Sequence, residues 1–309
     1  MRNVLFFLLA AFCFTPWCEP WIALLLGIGL ALALGNPYPK ESKSFSKVLL
    51  QAAVVLLGFS VDLNTVLQAG QKGIAFALVS IAAVFLLGYG LQKLLNVQPI
   101  TGLLVSTGTA ICGGSAIAAM SSVVDAPQED VSVAVGTVFL LNAVALITFP
   151  PLGHLMGLSD QQFGTWAGIA IHDVSSVVGA GAAYGGTALA TATAVKLSRV
   201  LYLIPITLVA SYVTARNRNK EAGGAKPAVP WFIGLFILAS LARTYSAEIR
   251  AQADVIKYIA TSGFSLSLFL IGGGLSKATL KQVGIRPMLQ GIGLWLFISV
   301  AALFAAKAM

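Results

Sequence analysis

Cys112-Gly-Gly-Ser-Ala-Ile-Ala-Ala119 indicates the fold of this chain, because Asp173-Val-Ser-Ser-Val-Val-Gly-Ala180 repeats its pattern further along the sequence. Both stretches lie inside long apolar segments, where glycines and small hydroxyl side chains are unexpected. In membrane proteins, irregular backbone is tolerated only where it is buried in protein or lines a cavity. Two such breaks at matching points of one hydrophobic chain therefore predict a polar site inside a membrane.

The composition places the chain in a lipid bilayer. Of its 309 residues, 58% are hydrophobic and only 10% are charged, whereas soluble domains have about 25% charged residues. The formal net charge of +8 is typical of cytoplasmic loops rich in Lys and Arg. Because polyanion binding needs a continuous basic patch, we expect the lipid bilayer and not nucleic acid as a partner.

The cysteines and histidines do not form a metal-binding pattern. The chain has three cysteines and two histidines, without a Cys-x-x-Cys pair or a metal-ligand spacing. Cys13 and Cys18 can pair outside the membrane, and Cys112 lies alone in the first broken motif. We therefore expect no cofactor and no dedicated metal site.

Nine segments are predicted to span the membrane, since each approaches the run of about 20 apolar residues that a spanning helix needs. The first resembles a signal peptide, but Pro16, Trp17 and Cys18 make a poor cleavage site, which favours a short first helix. The segments are 4–18, 20–35, 48–66, 72–95, 129–151, 189–214, 230–246, 255–275 and 286–306. Two more, 97–122 and 162–186, carry the breaks. We therefore expect an all-α polytopic membrane protein with a single transmembrane domain over residues 1–309.

The basic loops predict the orientation of the chain, because cytoplasmic loops are enriched in Lys and Arg. If the N-terminus lies inside, four basic clusters lie inside as well, and Glu19 lies outside. The clusters are Lys40, Lys43 and Lys47; Lys93; Arg216, Arg218, Lys220 and Lys226; and Lys277, Lys281 and Arg286. We therefore expect a multi-pass protein with a cytoplasmic N-terminus.

Two internal repeats predict an inverted architecture. Leu56-Leu57-Gly58 matches Leu270-Ile271-Gly272, in segments expected to cross the membrane in opposite directions. The second repeat is the broken motif with its following helix, which makes Asn142 the counterpart of Arg199. Its copies are inverted too if each broken segment is a re-entrant hairpin. We favour this fold, with repeat halves at about 20–151 and 160–306, over eleven crossings with two unwound helices, because many secondary transporters are built from inverted repeats.

Three charged side chains lie deep in apolar segments. Asp173 follows His172 in the second broken motif, and Lys196 and Arg199 are three residues apart, so they share one helix face. A charge at such depth costs about 2.5–3.5 kcal/mol on insertion scales, so these residues are expected to face a cavity or a partner. A purely structural interpretation is an internal salt bridge from Asp173 to Lys196 or Arg199.

An anion-binding site is the more specific interpretation of the same pattern. Two cations against one carboxylate leave a positive surplus, and a helix N-terminus at a break adds N–H donors. Arginine can hold an oxyanion through two parallel hydrogen bonds. The candidate substrate-binding residues are Gly113, Gly114, Ser115, Asn142, Ser175, Ser176, Lys196 and Arg199, and the candidate coupling residues are Asp173 and His172.

Three motifs resemble the signature stretches of a known family. They are Thr107-Gly-Thr-Ala-Ile-Cys-Gly-Gly-Ser-Ala-Ile117, Ala170-Ile-His-Asp-Val-Ser-Ser-Val-Val-Gly179 and Ala194-Val-Lys-Leu-Ser-Arg199. The chain is similar over nearly its whole length to the YeiH-type sulfate exporter family. The resemblance implies a bacterial inner-membrane protein, distantly similar to cation/proton antiporters and anion transporters, with these motifs at its centre.

A secondary transporter of a small anion is the leading hypothesis, with sulfate or a related sulfonate or carboxylate as substrate and with proton or sodium coupling left open. A cation/proton antiporter that uses Asp173 is the second hypothesis. An intramembrane serine hydrolase with Ser115 as nucleophile and His172 as base is the third and the least favoured, since it leaves Lys196 and Arg199 unexplained. We therefore expect a small inorganic or organic anion as partner and no enzyme activity, while a homodimer and the direction of transport stay open.

Overall fold

A computed structural model describes residues 2–18, 20–59, 63–217, 231–274 and 283–308, and within these ranges the chain forms helices joined by turns. The predicted all-α polytopic fold is confirmed. The helices are α1 (Arg2–Phe12), α2 (Pro20–Ala33), α3 (Pro39–Gly58), α4 (Leu63–Leu94), α5 (Pro99–Ala110), α6 (Gly114–Val124), α7 (Gln128–Leu155), α8 (Asp160–Ala170), α9 (Val174–Tyr184), α10 (Ala188–Val200), α11 (Leu203–Asn217), α12 (Trp231–Tyr245), α13 (Ala247–Ala251), α14 (Ala253–Gly272) and α15 (Ile285–Lys307). Glu19, Arg218, Lys220, Lys226, Lys277 and Lys281 lie outside the described residues, so the orientation stays a prediction.

The predicted spans correspond to helices, with three differences. The predicted span 48–66 covers the end of α3 at Gly58 and the start of α4 at Leu63, and its residues 60–62 lie outside the described residues. In the described chain, five segments are long and apolar enough to cross a membrane: Phe76–Leu94, Glu129–Leu155, Ala188–Thr214, Ala253–Gly272 and Ile285–Lys307. The first helix, α1, ends at Phe12, so its 11 residues reach about 17 Å, roughly half of a hydrocarbon core. The predicted span 189–214 is divided into α10 and α11, because Pro205 cannot donate a hydrogen bond to the carbonyl of Leu201.

Helices α5 and α6 form a re-entrant hairpin, hairpin 1 (residues 99–124). Thr101, in the first turn of α5, donates a hydrogen bond to Asp130 in the first turn of α7. Because only residues 125–127 separate α6 from α7, the two ends of the hairpin lie at the same level. Leu103 on α5 and Met120 on α6 line one apolar cleft, as expected of antiparallel arms.

Helices α8 and α9 form hairpin 2 (residues 160–184) in the same way. The rings of Phe163 near the start of α8 and Tyr184 at the end of α9 stack with their centroids 3.8 Å apart. The carboxylate of Asp160 accepts a hydrogen bond of 2.9 Å from the backbone N–H of Thr187, just before α10. The start of α8, the end of α9 and the start of α10 therefore lie together, which closes the hairpin.

The two hairpins enter the fold from opposite ends of α7. Hairpin 1 opens beside Asp130, whereas His154, near the other end of α7, stacks on Tyr184 of hairpin 2 with the centroids 4.1 Å apart. The 28 residues of α7 extend over about 42 Å, enough to cross a bilayer. The re-entrant interpretation is thus confirmed, and the alternative with eleven crossings is wrong. The division into halves at 20–151 and 160–306 stays a prediction.

Helix α14 packs against α2 through a reciprocal pair of glycines. A Cβ on Gly272 would lie 2.5 Å from the carbonyl oxygen of Leu24, and a Cβ on Gly27 would overlap the carbonyl oxygen of Phe269. A Cβ on Gly29 would meet nothing within 4 Å. The sequence favours close helix packing as the role of both Gly27 and Gly29, but in the structure only Gly27 has that role.

We expect Gly27→Val to lower the unfolding temperature of the detergent-solubilised protein, because the new side chain forces α2 away from the backbone of α14. Overpacking of this kind costs about 1–3 kcal/mol. Thermal unfolding followed by circular dichroism measures the shift, and Gly29→Val, in the same helix, is the control. Equal shifts in the two variants would contradict the close approach at Gly27.

Candidate functional site

The tips of the two hairpins meet inside the fold. Residues 111–113 form the tip of hairpin 1 and residues 171–173 that of hairpin 2. A Cβ built on Gly113 would lie 3.0 Å from the Cβ of Asp173, so the tips are in direct contact there. Each tip presents the last carbonyls of one half-helix and the first N–H groups of the next. Four helix ends, with partial charges of both signs, therefore share one small region.

Gly113 makes the sharp tip of hairpin 1 possible. Its φ of +66° and ψ of −131° form a backbone conformation that glycine adopts readily and other residues rarely do. Gly114 begins α6, and the hydroxyl of the exposed Ser115 donates a hydrogen bond of 3.1 Å to the carbonyl of Cys112. The same hydroxyl lies 3.0 Å from the thiol of Cys112. No side-chain oxygen caps the first turn of α6, and its N–H groups face the tip, as those at a helix N-terminus do.

Asp173 caps helix α9 at the tip of hairpin 2. Its carboxylate accepts hydrogen bonds from the backbone N–H of Ser176 at 2.8 Å, from the hydroxyl of Ser176 at 2.9 Å and from the hydroxyl of Ser175. A carboxylate in this position satisfies orphan N–H groups, and its charge is favourable at a helix N-terminus. Both oxygens of Asp173 are thereby occupied. The hydroxyls of Ser175 and Ser176 are directed at Asp173 and not at an open space between the tips.

Lys196 and Arg199 reach from α10 to the C-terminal end of α5. Arg199 donates from Nη2 to the carbonyl of Ala110 at 2.6 Å and from Nη1 to the hydroxyl of Ser80 at 2.9 Å. Lys196 donates from Nζ to the carbonyl of Ile111 at 3.5 Å. Because a helix carries partial negative charge at its C-terminus, these cations stabilise the end of α5.

The salt bridge between Asp173 and the cations is not formed. The hydrogen bonds of Asp173 go to α9 and those of Lys196 and Arg199 to α5 and α4, and in the described chain no ion pair within 4.0 Å joins them. Lys196 is 0% exposed and Arg199 is 1% exposed. The predicted salt bridge is therefore wrong, because each charged side chain is hydrogen-bonded to a helix end and not to the opposite charge. Lys196 is still close enough to Asp173 and Arg199 to interact with them electrostatically.

Asn142 reaches the tip of hairpin 2 from α7. Its Oδ1 accepts a hydrogen bond of 2.9 Å from the backbone N–H of His172, just as Arg199, its counterpart in the repeat, reaches the tip of hairpin 1. Both Asn142 and His172 are buried. The Nδ2 of Asn142 and both ring nitrogens of His172 have no hydrogen-bonding partner. Since unpaired buried polar atoms are costly, a ligand or water bound at this tip would complete their hydrogen bonding.

Two polar side chains that are not predicted from the sequence hold the helices around the site together. Ser80 holds Arg199 from α4, and a lone serine in an apolar helix gives no signal of such a role. Gln290, which is fully buried in α15, donates from Nε2 to the carbonyls of Gly88 and Gly102 at 3.1 Å each. Gln290 thus ties α15 to α4 and α5. The sequence does indicate a role for Gln290, because a single amide side chain inside an apolar span needs a hydrogen-bonding partner.

The groups at the tips offer hydrogen bonding and fixed charge. They are an ammonium, a guanidinium, a carboxylate, a side-chain amide and the N–H groups of α6. Over the described ranges, no three His, Cys, Asp or Glu side chains are close enough together to hold a metal ion. Cys13, Cys18 and Cys112 are free thiols.

The chain is similar to membrane proteins of several bacteria. The family model described as Conserved hypothetical protein 698 matches residues 4–291. A UPF0324 membrane protein of Bdellovibrio bacteriovorus is 43% identical over 305 residues, which cover 99% of this chain and 94% of that protein. A UPF0324 membrane protein of Porphyromonas gingivalis is 47% identical over 94% of this chain and 87% of that protein. One of Geobacter sulfurreducens is 43% identical over 99% of this chain and 97% of that protein. No solved structure matches the chain significantly.

These matches cover nearly the whole chain and include both broken motifs. They confirm a multi-pass membrane protein and the resemblance of its motifs to the YeiH-type family. The chain belongs to the Conserved hypothetical protein 698 family of membrane proteins.

Proposed function

We propose that the protein is a secondary transporter of a small anion that binds between the two hairpin tips. The observation that carries the proposal is the ammonium group of Lys196, which is fully buried. It has three donors but makes one hydrogen bond, 3.5 Å long, to a backbone carbonyl. A buried charge without adequate partners costs several kcal/mol. A bound anion would supply both the counter-charge and the missing acceptors.

The arrangement of the hairpins supports movement of that anion. Hairpins that enter from opposite ends of α7 give each face of the protein its own route to a shared site. Small movements of one hairpin against the other then open the site to one face at a time, as in transporters with inverted repeats. Ser115 is exposed while Lys196 is buried, which supports an approach to the site beside hairpin 1.

The two alternative functions have less support. A cation/proton antiporter would use Asp173 as carrier, but a lone buried acid beside two buried bases, Lys196 and Arg199, fits this function less well. A serine hydrolase would need a nucleophile and a base within about 2.6–3.2 Å, whereas Ser115 donates its hydrogen bond to Cys112 and no hydrogen bond joins it to His172. We therefore propose that the protein is not an enzyme.

The finer assignments belong to the same proposal. The substrate is sulfate or a related sulfonate or carboxylate, and proton or sodium coupling is assigned to Asp173 and His172. The protein lies in a bacterial inner membrane, with its N-terminus in the cytoplasm, and a homodimer is compatible with the sequence. The bacterial membrane proteins that it is similar to support the membrane assignment.

Anion flux into proteoliposomes tests the proposal. We expect Lys196→Met to reduce uptake of the transported anion at least about tenfold, because hydrogen bonds to a charged group contribute about 1.5–3 kcal/mol and 1.4 kcal/mol is a factor of ten. Methionine has a similar length but neither charge nor donors. Uptake is measured with radiolabelled sulfate, methanesulfonate and acetate.

Lys93→Met is the matched control for the loss of a lysine. Lys93 lies exposed near the end of α4, with its ammonium 4.4 Å from the centre of the Tyr89 ring. Its replacement should leave uptake unchanged. Equal uptake by wild type and Lys196→Met would refute the role of Lys196, and no uptake of any of the three anions by wild type would refute anion transport.

A further inference from the structure

The buried charges at the hairpin tips do not balance. In the described part of the chain, three side chains of Asp, Glu, Lys and Arg are buried, and they are Asp173, Lys196 and Arg199. All three lie at the meeting point of the hairpins. With Lys196 and Arg199 protonated and Asp173 ionised, two positive charges against one negative charge leave a surplus of one positive charge.

The backbone does not remove this surplus. The C-terminus of α5 presents about half a negative charge to Lys196 and Arg199, and the N-terminus of α9 presents about half a positive charge to Asp173. These two helix ends offset each other. The first turn of α6 adds partial positive charge at the tips, and the C-terminus of α8 adds partial negative charge of similar size, so the four helix ends together contribute about zero.

The other polar side chains at the tips do not supply a negative charge either. Cys112, at the repeat position of Asp173, has a thiol where hairpin 2 has a carboxylate. Asn142 is neutral and has an unpaired Nδ2 donor. The site therefore offers a single uncompensated positive charge together with hydrogen-bond donors, on side chains that are buried.

We propose that this site, if the protein transports anions as proposed above, selects monovalent oxyanions such as alkanesulfonates and carboxylates over the sulfate dianion. A monovalent anion brings the buried charge to zero. A dianion leaves a net negative charge in a low-dielectric interior, where an uncompensated charge is expensive. Sulfate then enters only together with a proton or another cation.

Methanesulfonate and sulfate make the sharpest comparison, because both present a tetrahedral sulfur with oxygen acceptors and they differ in charge. Each anion is titrated into the purified protein at constant ionic strength, and its affinity is derived from the rise in unfolding temperature. We expect methanesulfonate to bind at least about tenfold more tightly than sulfate. Formate and acetate, which also carry a single negative charge, should bind more tightly than sulfate as well.

Asp173→Asn tests the charge count directly. The asparagine still caps α9, since Asn and Asp are equivalent N-caps, but the surplus rises to two positive charges. The preference for methanesulfonate over sulfate should then fall at least about tenfold. Glu129→Gln removes a carboxylate from an exposed position at the start of α7, and this control should leave the preference unchanged.

The outcomes separate this inference from the proposed function. Equal affinities for methanesulfonate and sulfate in the wild type, or an unchanged preference in Asp173→Asn, would overturn the charge selection and leave anion transport standing. If Asp173→Asn fails to fold, the comparison in the wild type still decides. A wild type that neither binds nor transports any of the four anions would overturn the proposed function itself.

Discussion

Arg199→Leu should destabilise the protein by about 3 kcal/mol or more. Its guanidinium donates hydrogen bonds to the carbonyl of Ala110 and to the hydroxyl of Ser80, and bonds to charged groups contribute about 1.5–3 kcal/mol each. Without Arg199, the buried end of α5 also loses one of the two cations that stabilise its C-terminus. Since 1 kcal/mol corresponds to about 2–4 °C for chains of 150–250 residues, the unfolding temperature should fall by about 6–12 °C.

Arg250→Leu is the matched control for this substitution. Arg250 also donates to a backbone carbonyl, that of Thr244 at 2.8 Å, but on the exposed surface, where water replaces the lost hydrogen bond. Arg199→Lys keeps the charge, but the compact ammonium lacks the fork that holds two acceptors, so its stability should lie between wild type and Arg199→Leu. Thermal unfolding in detergent measures all three variants. Equal stability of Arg199→Leu and Arg250→Leu would show that Arg199 does not stabilise hairpin 1.

The hairpins could be predicted from the sequence because their causes are local. The glycines and serines of each broken motif interrupt an apolar run, and the repeat relates the two interruptions. What the pattern left open was whether each segment crosses the membrane or returns. That choice depends on contacts such as the one between Thr101 and Asp130, which no periodicity reports. The matching positions of the two breaks favoured the correct answer, since only hairpins make both copies inverted.

The partners of the buried charges were less accessible to sequence reasoning. Asp173 could have been identified as a helix cap, because it directly precedes α9 and Asp is a preferred N-cap. Lys196 and Arg199 were correctly placed on one helix face, but their main partners are backbone carbonyls 85 and 89 residues away in sequence. Every residue has a carbonyl, so no residue type marks these partners. The salt-bridge prediction paired the charged side chains with each other and took no account of the backbone groups at the ends of the half-helices.

Gly113→Ala should reduce transport at least about tenfold while the protein still folds. The φ of +66° at Gly113 is one that L residues rarely adopt, and such strain costs about 1–3 kcal/mol. The added methyl group would also lie 3.0 Å from the Cβ and 3.4 Å from the Cα of Asp173. Hairpin 1 must then retreat from hairpin 2, and the carbonyls at the end of α5 and the N–H groups of α6 move away from Lys196 and Arg199 on α10 and from the N-terminus of α9. Anion uptake into proteoliposomes measures the loss.

Gly114→Ala provides the comparison one residue away. Gly114 lies within α6, and a Cβ there would meet only the ring of Phe139, at 3.2 Å. A ring can shift by a few tenths of an ångström, whereas the backbone of Asp173 is fixed by its cap to α9. Gly114→Ala should therefore retain most of the uptake. Similar uptake in both variants would show that contact between the tips is not needed for transport. A loss confined to Gly113→Ala would mean that the anion requires both tips at their present separation. The reason is that the positive charges of Lys196 and Arg199 lie on α10, whereas the N–H donors of α6 belong to hairpin 1.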